Sequence, residues 1–247
     1  MITHDSMKLF LLQLLAHVGL LGLFLYGETY HFGITLFVYF LTGCFGMTMT
    51  FHRGLSHNSW NMPTWFKYFG TICGIYGLTG SSISWVASHK KHHAFSDTEK
   101  DPHSPLTKGI FKVQFLSMFE PVHIKYVTNM LRDPFHLFLH KNYFKIHALI
   151  IVALLLLDPM LLIAAYLAPA AILWNLGSAV NNLNHLYGYK PHVTNDHSTN
   201  NLFTGYLVWG EGWHNTHHAH PKRSMFGEQW WEVDIGGSLI ELIGTKS

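Results

Sequence analysis

Charge is scarce in this chain. Only 12 % of its 247 residues are Asp, Glu, Lys or Arg, about half the roughly 25 % usual in soluble domains. The formal net charge of +2 is too small to imply a nucleic-acid partner. Cysteine is almost absent. Cys44 and Cys73 both sit in apolar or small-residue stretches, which excludes a disulfide framework and a thiolate metal site. Any metal must be held by nitrogen or oxygen. No Ser-His-Asp pattern, no low-complexity linker and no compositional boundary interrupts the sequence, so residues 1–247 read as a single domain.

Long stretches carry no charge at all. None appears between Lys8 and Glu28, or between Glu28 and Arg53. Spanning a bilayer takes about 20 apolar residues, so 9–27 and 30–51 read as a helical hairpin. Asp5 precedes the only nearby cation, Lys8, and no small-residue cleavage pattern follows. The first run is therefore expected to be a retained membrane helix and not a signal peptide. A second hairpin is expected over 139–157 and 160–184, turning at Asp158-Pro159, with Pro169 kinking its second arm. The uncharged 68–88 stretch is rich in Gly, Ser and Thr. A crossing there would strand His89 opposite His52 and His57, so it reads as re-entrant or interfacial.

The expected fold is thus an all-α integral membrane protein. Four transmembrane helices carry a helical cap formed by about 52–138 and 185–247. Eleven of the sixteen Lys and Arg lie within 53–145 and four in the C-terminal region, whereas the turns at Glu28 and Asp158 have none. By the positive-inside rule both termini and the cap face the cytoplasm.

What the chain has in excess is histidine, 20 in all. SHKKHHA places His89, His92 and His93 at i, i+3 and i+4, and EGWHNTHHAH repeats the spacing with His214, His217 and His218. That spacing puts three imidazoles on one helix face. FHRGLSH sets His52 and His57 five apart, which suits a loosening helix end. Asn175, Ser178, Asn181 and His185 form a polar stripe on the last apolar run, and polar groups at membrane depth usually face a functional interior. Nine imidazoles exceed the needs of one tetrahedral zinc and suit two adjacent metals with some water-filled positions. His4, His17, His31, His123, His136, His140, His147, His192, His197 and His220 show no such spacing and read as structural. His103, just after Asp101-Pro102, stands between the two classes. Metal-bound histidines commonly lean on carboxylates through their other nitrogen. Asp97, Glu99, Asp101, Glu211 and Asp234 are the available acids, with Glu99 the one expected to be solvated.

The segments HRGLSH, HKKHHAFSDTEKDPHSP, NNLNHLYGYKP and WGEGWHNTHHAHP together resemble the membrane fatty-acyl desaturases, the group that includes stearoyl-CoA desaturase. LRDPFHLFLHKNYF and QWWEVD resemble its bacterial and cyanobacterial delta-9 branch. The likeness covers roughly residues 40 to 235. It implies a di-iron enzyme that uses O2 and two electrons to introduce a cis double bond into a long acyl chain. Carried over by position, the metal ligands are His52, His57, His89, His92, His93, His185, His214, His217 and His218, and Asn181 orients a metal-bound water. Zinc binds nitrogen sites more tightly than iron(II) and can replace it in overexpressed protein.

The animal enzymes have Arg-Asp where this chain has Ala87 and Ser88, which leaves the acyl carrier open between coenzyme A, carrier protein and lipid. No HPGG haem motif is present, so electrons are expected from a separate ferredoxin or cytochrome b5. The acyl tail is expected to end among the helices near Thr42, Gly43 and Gly46. Rival readings are a di-iron hydroxylase or ketolase with the same histidines, a zinc membrane hydrolase, and a metal-binding protein without catalysis.

Overall fold

The computed structural model describes residues 5–244. Their regular structure is all helical, with two isolated β-bridges and no strand among the described residues. Helix α1 (Ser6–Tyr26) starts at Asp5, whose carboxylate accepts the Lys8 backbone N–H. Leu9, Gln13, Ala16, Gly19 and Leu23 form its buried stripe. Leu14, Val18, Leu21 and Phe24 on its outer side are exposed. A helix apolar all round belongs in a core or a membrane.

After a turn at Gly27-Glu28 the chain returns as α2 (Thr29–Ser56). From Leu41 to Ser56 this helix widens into π winding, where hydrogen bonds close i→i+5. Helix α3 (Thr64–Tyr76) packs along that widened half. Their backbones nearly touch, since a Cβ on Gly46 would lie 2.4 Å from the Gly74 nitrogen. Only glycine fits there. At about 1.5 Å per residue α3 reaches roughly 20 Å, short of the ~30 Å hydrocarbon layer. A turn with Leu78 at φ 59° reverses the chain. The Gln13 amide donates to the Leu78 carbonyl at 2.6 Å and pins this turn to α1. Helix α4 (Ser82–Phe95), capped by Ser81, then climbs back beside α2. The 68–88 stretch is thus broken between α3 and α4 at the Leu78 turn.

Between α4 and the next long helix lie α5 (Ile110–Phe115) and several single turns. Helices α6 (Pro134–Lys141) and α7 (Tyr143–Leu157) follow, bent by 66°. The expected span 139–157 thus needs correction, because the straight helix begins only at Tyr143. Asn142 breaks it at φ −102°, ψ 10°, where its side-chain amide donates to the Phe138 carbonyl at 3.0 Å, a local bond that competes with helix continuation.

Helix α8 (Pro159–Leu183) starts from the Asp158 cap. At the expected Pro169 kink a π turn over Ile163–Leu167 precedes the missing N–H, and α8 continues past it as one helix. Ala16 and Leu167 pack at the α1–α8 contact, and Thr35 donates from α2 to the Ala164 carbonyl at 2.8 Å. Three helices, α1, α2 and α8, are long and apolar enough to cross a membrane, or four if α6 and α7 form one bent span. Short helices α9 (Leu202–Leu207), α10 (His214–Ala219) and α11 (Ile235–Ile243) complete the described chain.

Candidate metal centre

The π winding of α2 decides the first contribution to the site. With bonds closing i→i+5, residues five apart stack on one face, so His52 and His57 come together with ring centroids 5.0 Å apart. Helix α4 delivers His89, His92 and His93 from one face. His185 lies in the turn just past α8. The six residues of α10 are too few to hold a helix by themselves. The side chain of Asn200 anchors them by accepting the Asn215 and Thr216 backbone N–H groups at 2.9 and 3.2 Å.

All nine of these imidazoles converge, in two groups. His52, His57, His89, His93 and His217 form one, and His92, His185, His214 and His218 the other. Within the first, Nε2 atoms approach at 2.7 Å (His57–His89), 3.0 Å (His52–His217) and 2.9 Å (His217–His93). Within the second the approaches are 3.2 Å (His185–His214) and 3.3 Å (His92–His218).

Carboxylates fix which nitrogen points inward. The Nδ1 atoms of His52, His92, His185 and His218 meet Glu211, Asp101, Asp97 and Asp196 at 2.5, 2.9, 2.9 and 2.6 Å. Each Nδ1 therefore carries the proton, and each Nε2 turns a lone pair inward. Burial first, then neighbouring imidazoles, hold His89, His92, His93, His214 and His217 well below the usual histidine value and push His57 down to about 2. His218 is also lowered by burial, against the pull of Asp196. Burial would raise Asp97, Asp196 and Glu211, yet hydrogen bonds and charge from their partners bring all three below the usual carboxylate range.

Arg53 braces the base of the first group. It is fully buried and donates to Glu211 at 3.1 and 3.2 Å, to Asp234 at 2.8 Å and to the Ser224 carbonyl at 2.6 Å. Its guanidinium also lies 3.9 Å from the Phe226 ring centre, and that ring packs on His217. Of the acids anticipated from sequence, Asp97, Asp101 and Glu211 meet histidines directly, Asp234 acts through Arg53, and Glu99 is exposed. Asp196 was missed. No helical period links it to His218, and only the folded loop brings them together.

Most of the histidines read as structural have local partners. His17 joins Gln13 and Asn175, His31 accepts the Glu28 N–H, and His136, His140 and His147 meet Ser82, Ser81 and Tyr166. His123 accepts the Lys125 N–H, and His197 offers its backbone N–H to Asp97. His4 lies outside the described residues. His103 is buried with its ring stacked 4.5 Å from His92, but it belongs to neither group of the nine.

A cavity opens beneath the histidines. Its polar end holds His52, His89, His103, His214, Glu211 and Asn181, and its walls include Leu9, Met47, Trp85, Leu173, Trp174 and Val208. The stripe on α8 divides at this point. Asn175 bonds to His17 and Gln114, whereas Ser178 and Asn181 line the cavity. Gly43 lines it as well, but Thr42 and Gly46 do not. Gly46 is small because α3 lies against it. Gly177 was overlooked. It lines the cavity one turn from Asn181, with nothing within 4 Å of the place a Cβ would take.

The family model described as fatty acid desaturase matches residues 30–227. The chain belongs to the fatty acid desaturase family. It is 34 % identical over 218 residues to an sn-1 stearoyl-lipid 9-desaturase of Anabaena variabilis, covering 85 % of this chain and 79 % of that protein. It is 31 % identical to an sn-2 palmitoyl-lipid 9-desaturase of Nostoc (86 % and 78 % covered) and 32 % identical to an acyl-CoA 5-desaturase of Anemone leveillei (86 % and 68 %). The enzyme is an oxidoreductase that introduces a double bond into a fatty acyl chain, and its histidine groups are the part able to hold metal.

Asp196→Asn in this desaturase keeps the shape of the acid but weakens its hold on His218. Losing a carboxylate that orients a metal-binding imidazole costs about 10–100-fold in metal affinity, and metal titration of the purified variant is expected to show a loss in that range. Unchanged affinity would remove Asp196 from the site. Acid should also release metal. In the folded chain His57, His89, His92, His93, His214, His217 and His218 take protons only below the unfolded value near 6.5, so as pH falls through about 6.5 the unfolded, metal-free chain gains protons first. Metal retention measured against pH is expected to be flat above 7 and to fall below about 6.5. Looser binding at pH 8 than at pH 6 would contradict this.

Proposed function

We propose that this desaturase inserts a cis double bond at the delta-9 position of a long saturated acyl chain, using O2, two external electrons and two irons. The five-histidine group (His52, His57, His89, His93, His217) holds one iron and the four-histidine group (His92, His185, His214, His218) the other. The observation that carries the proposal is the His92–His218 pair. Both Nδ1 atoms are committed to carboxylates and both imidazoles are kept neutral. Their Nε2 lone pairs nevertheless face each other at 3.3 Å. Two facing lone pairs repel unless a cation lies between them, and all-nitrogen donors suit iron, copper or zinc over magnesium or calcium. Iron bound there supplies the oxidising power that breaking an unactivated C–H bond demands, which zinc lacks.

The chain's own residues do the positioning. Apolar walls from Leu9, Met47, Leu173 and Val208 hold the acyl chain by burial and exclude water. Asn181, one turn before His185, has no hydrogen bond to another described residue and faces the cavity. An amide both donates and accepts, so Asn181 is suited to orient a water on the open side of the four-histidine group. Ala87 and Ser88 offer no charge for a phosphate-rich carrier, and two of the relatives above are named for lipid-linked substrates. Both facts support an acyl chain carried on a membrane lipid.

Four membrane helices, with α6 and α7 as one bent span, a cytoplasmic cap and cytoplasmic termini complete the proposal. The cation-free turns at Glu28 and Asp158 support that orientation. A separate ferredoxin or cytochrome b5 brings the electrons.

Expression in a host that makes no unsaturated fatty acids, followed by chromatography of its lipids, tests this reading. A cis monounsaturated product supports it, and a hydroxylated or ketone product without a double bond would favour the rival di-iron oxidation. Gly177→Leu fills the cavity one turn beyond Asn181. It should shift preference towards shorter chains while metal content stays unchanged. If chain preference stays as in the parent enzyme, the acyl tail runs elsewhere.

A further inference from the structure

A third histidine group lies outside the two already described. His192, His220 and Glu228 each present a donor atom, all within 4.8 Å of one another. His192 Nε2 is 2.8 Å from Glu228 Oε2, and the His192 and His220 rings stand 5.0 Å apart at 83°. Arg223 engages the other oxygen of Glu228, which holds the carboxylate in place and leaves Oε2 turned towards the two rings. The side chains of His192 and Glu228 are each a quarter exposed, so water reaches the group.

The three main-chain positions rest on buried supports and are not loose surface. The His192 N–H donates to the fully buried Asn215 amide at 2.8 Å. Glu228 donates its N–H to the buried Glu232 carboxylate at 2.6 Å. His220 closes α10 with bonds to the Thr216 and His217 carbonyls. Three separate segments therefore deliver two imidazoles and one carboxylate to one locus.

We propose that His192, His220 and Glu228 form a third metal site, taking zinc with a water as its fourth ligand. Two histidines and one carboxylate with an open position are an established zinc donor set, whereas magnesium and calcium need more oxygen than this group offers. The site lies beside the iron positions but shares no ligand with them. Its ion joins the loop that carries Asp196 to the end of the helix that carries His218. The site stands whether or not the chemistry at the two other groups is desaturation.

The test loads the full-length enzyme with iron, adds zinc(II) alone, removes the excess by gel filtration and counts both metals per chain. The parent enzyme is expected to keep about one zinc more than His192→Ala or His220→Ala, with iron content equal in all three. Glu228→Gln should weaken that zinc at least tenfold. Equal iron shows that the variants are folded and that the two other groups are intact. X-ray absorption at the zinc edge of the parent enzyme reads the same question without any variant, and nitrogen and oxygen neighbours at ~2.0–2.2 Å are expected. Zinc uptake that persists in the variants while their iron stays at the parent level, or parent enzyme that keeps no zinc beyond its iron, overturns the site.

Discussion

The structure turns on one electrostatic constraint. Four carboxylates hold the Nδ1 protons of His52, His92, His185 and His218, and this turns their Nε2 lone pairs into one buried space. Such an arrangement is repulsive until positive charge enters it. Much of the rest of the fold keeps the lone pairs aimed. Asn200 builds the helix that carries His214, His217 and His218, Arg53 fastens Glu211 beneath His52, and Asp101 also accepts the Asp97 and His103 backbone N–H groups.

Support is uneven between the two groups. Three of the four histidines in the second group rest on carboxylates of their own, namely Asp101, Asp97 and Asp196. In the first group, among the described residues, only His52 has such a partner, Glu211, and Arg53 partly neutralises it. The two positions are therefore electrostatically distinct. The apolar bundle below supplies the complementary element. Its helices α2 and α8 contribute both apolar residues and residues beside the histidines to the lining of one cavity.

How much of this is legible in the sequence depends on the range of the interaction. The triplets His89-His92-His93 and His214-His217-His218 are visible because i, i+3, i+4 spacing is a local rule. His185 is visible through the stripe above it. The pair His52–His57 is only half legible, since spacing alone places the two apart on an α-helix and the π winding brings them together. Asp196 is invisible because a loop, not a period, delivers it. The break at Asn142 carries no Pro or Gly signal, and a side-chain bond to the Phe138 carbonyl marks it only in the folded chain. Gly46 and Gly177 look alike as letters, yet one admits a neighbouring helix and the other faces open space. His192 and His220 stand 28 positions apart in the chain and carry no shared spacing.

Iron counting together with iron-edge X-ray absorption on the purified enzyme tests the central claim most directly. The account predicts two irons per chain, each surrounded mainly by imidazole nitrogen near 2.1 Å with no sulfur neighbour. One iron per chain in active enzyme, or a first shell dominated by sulfur, would contradict it.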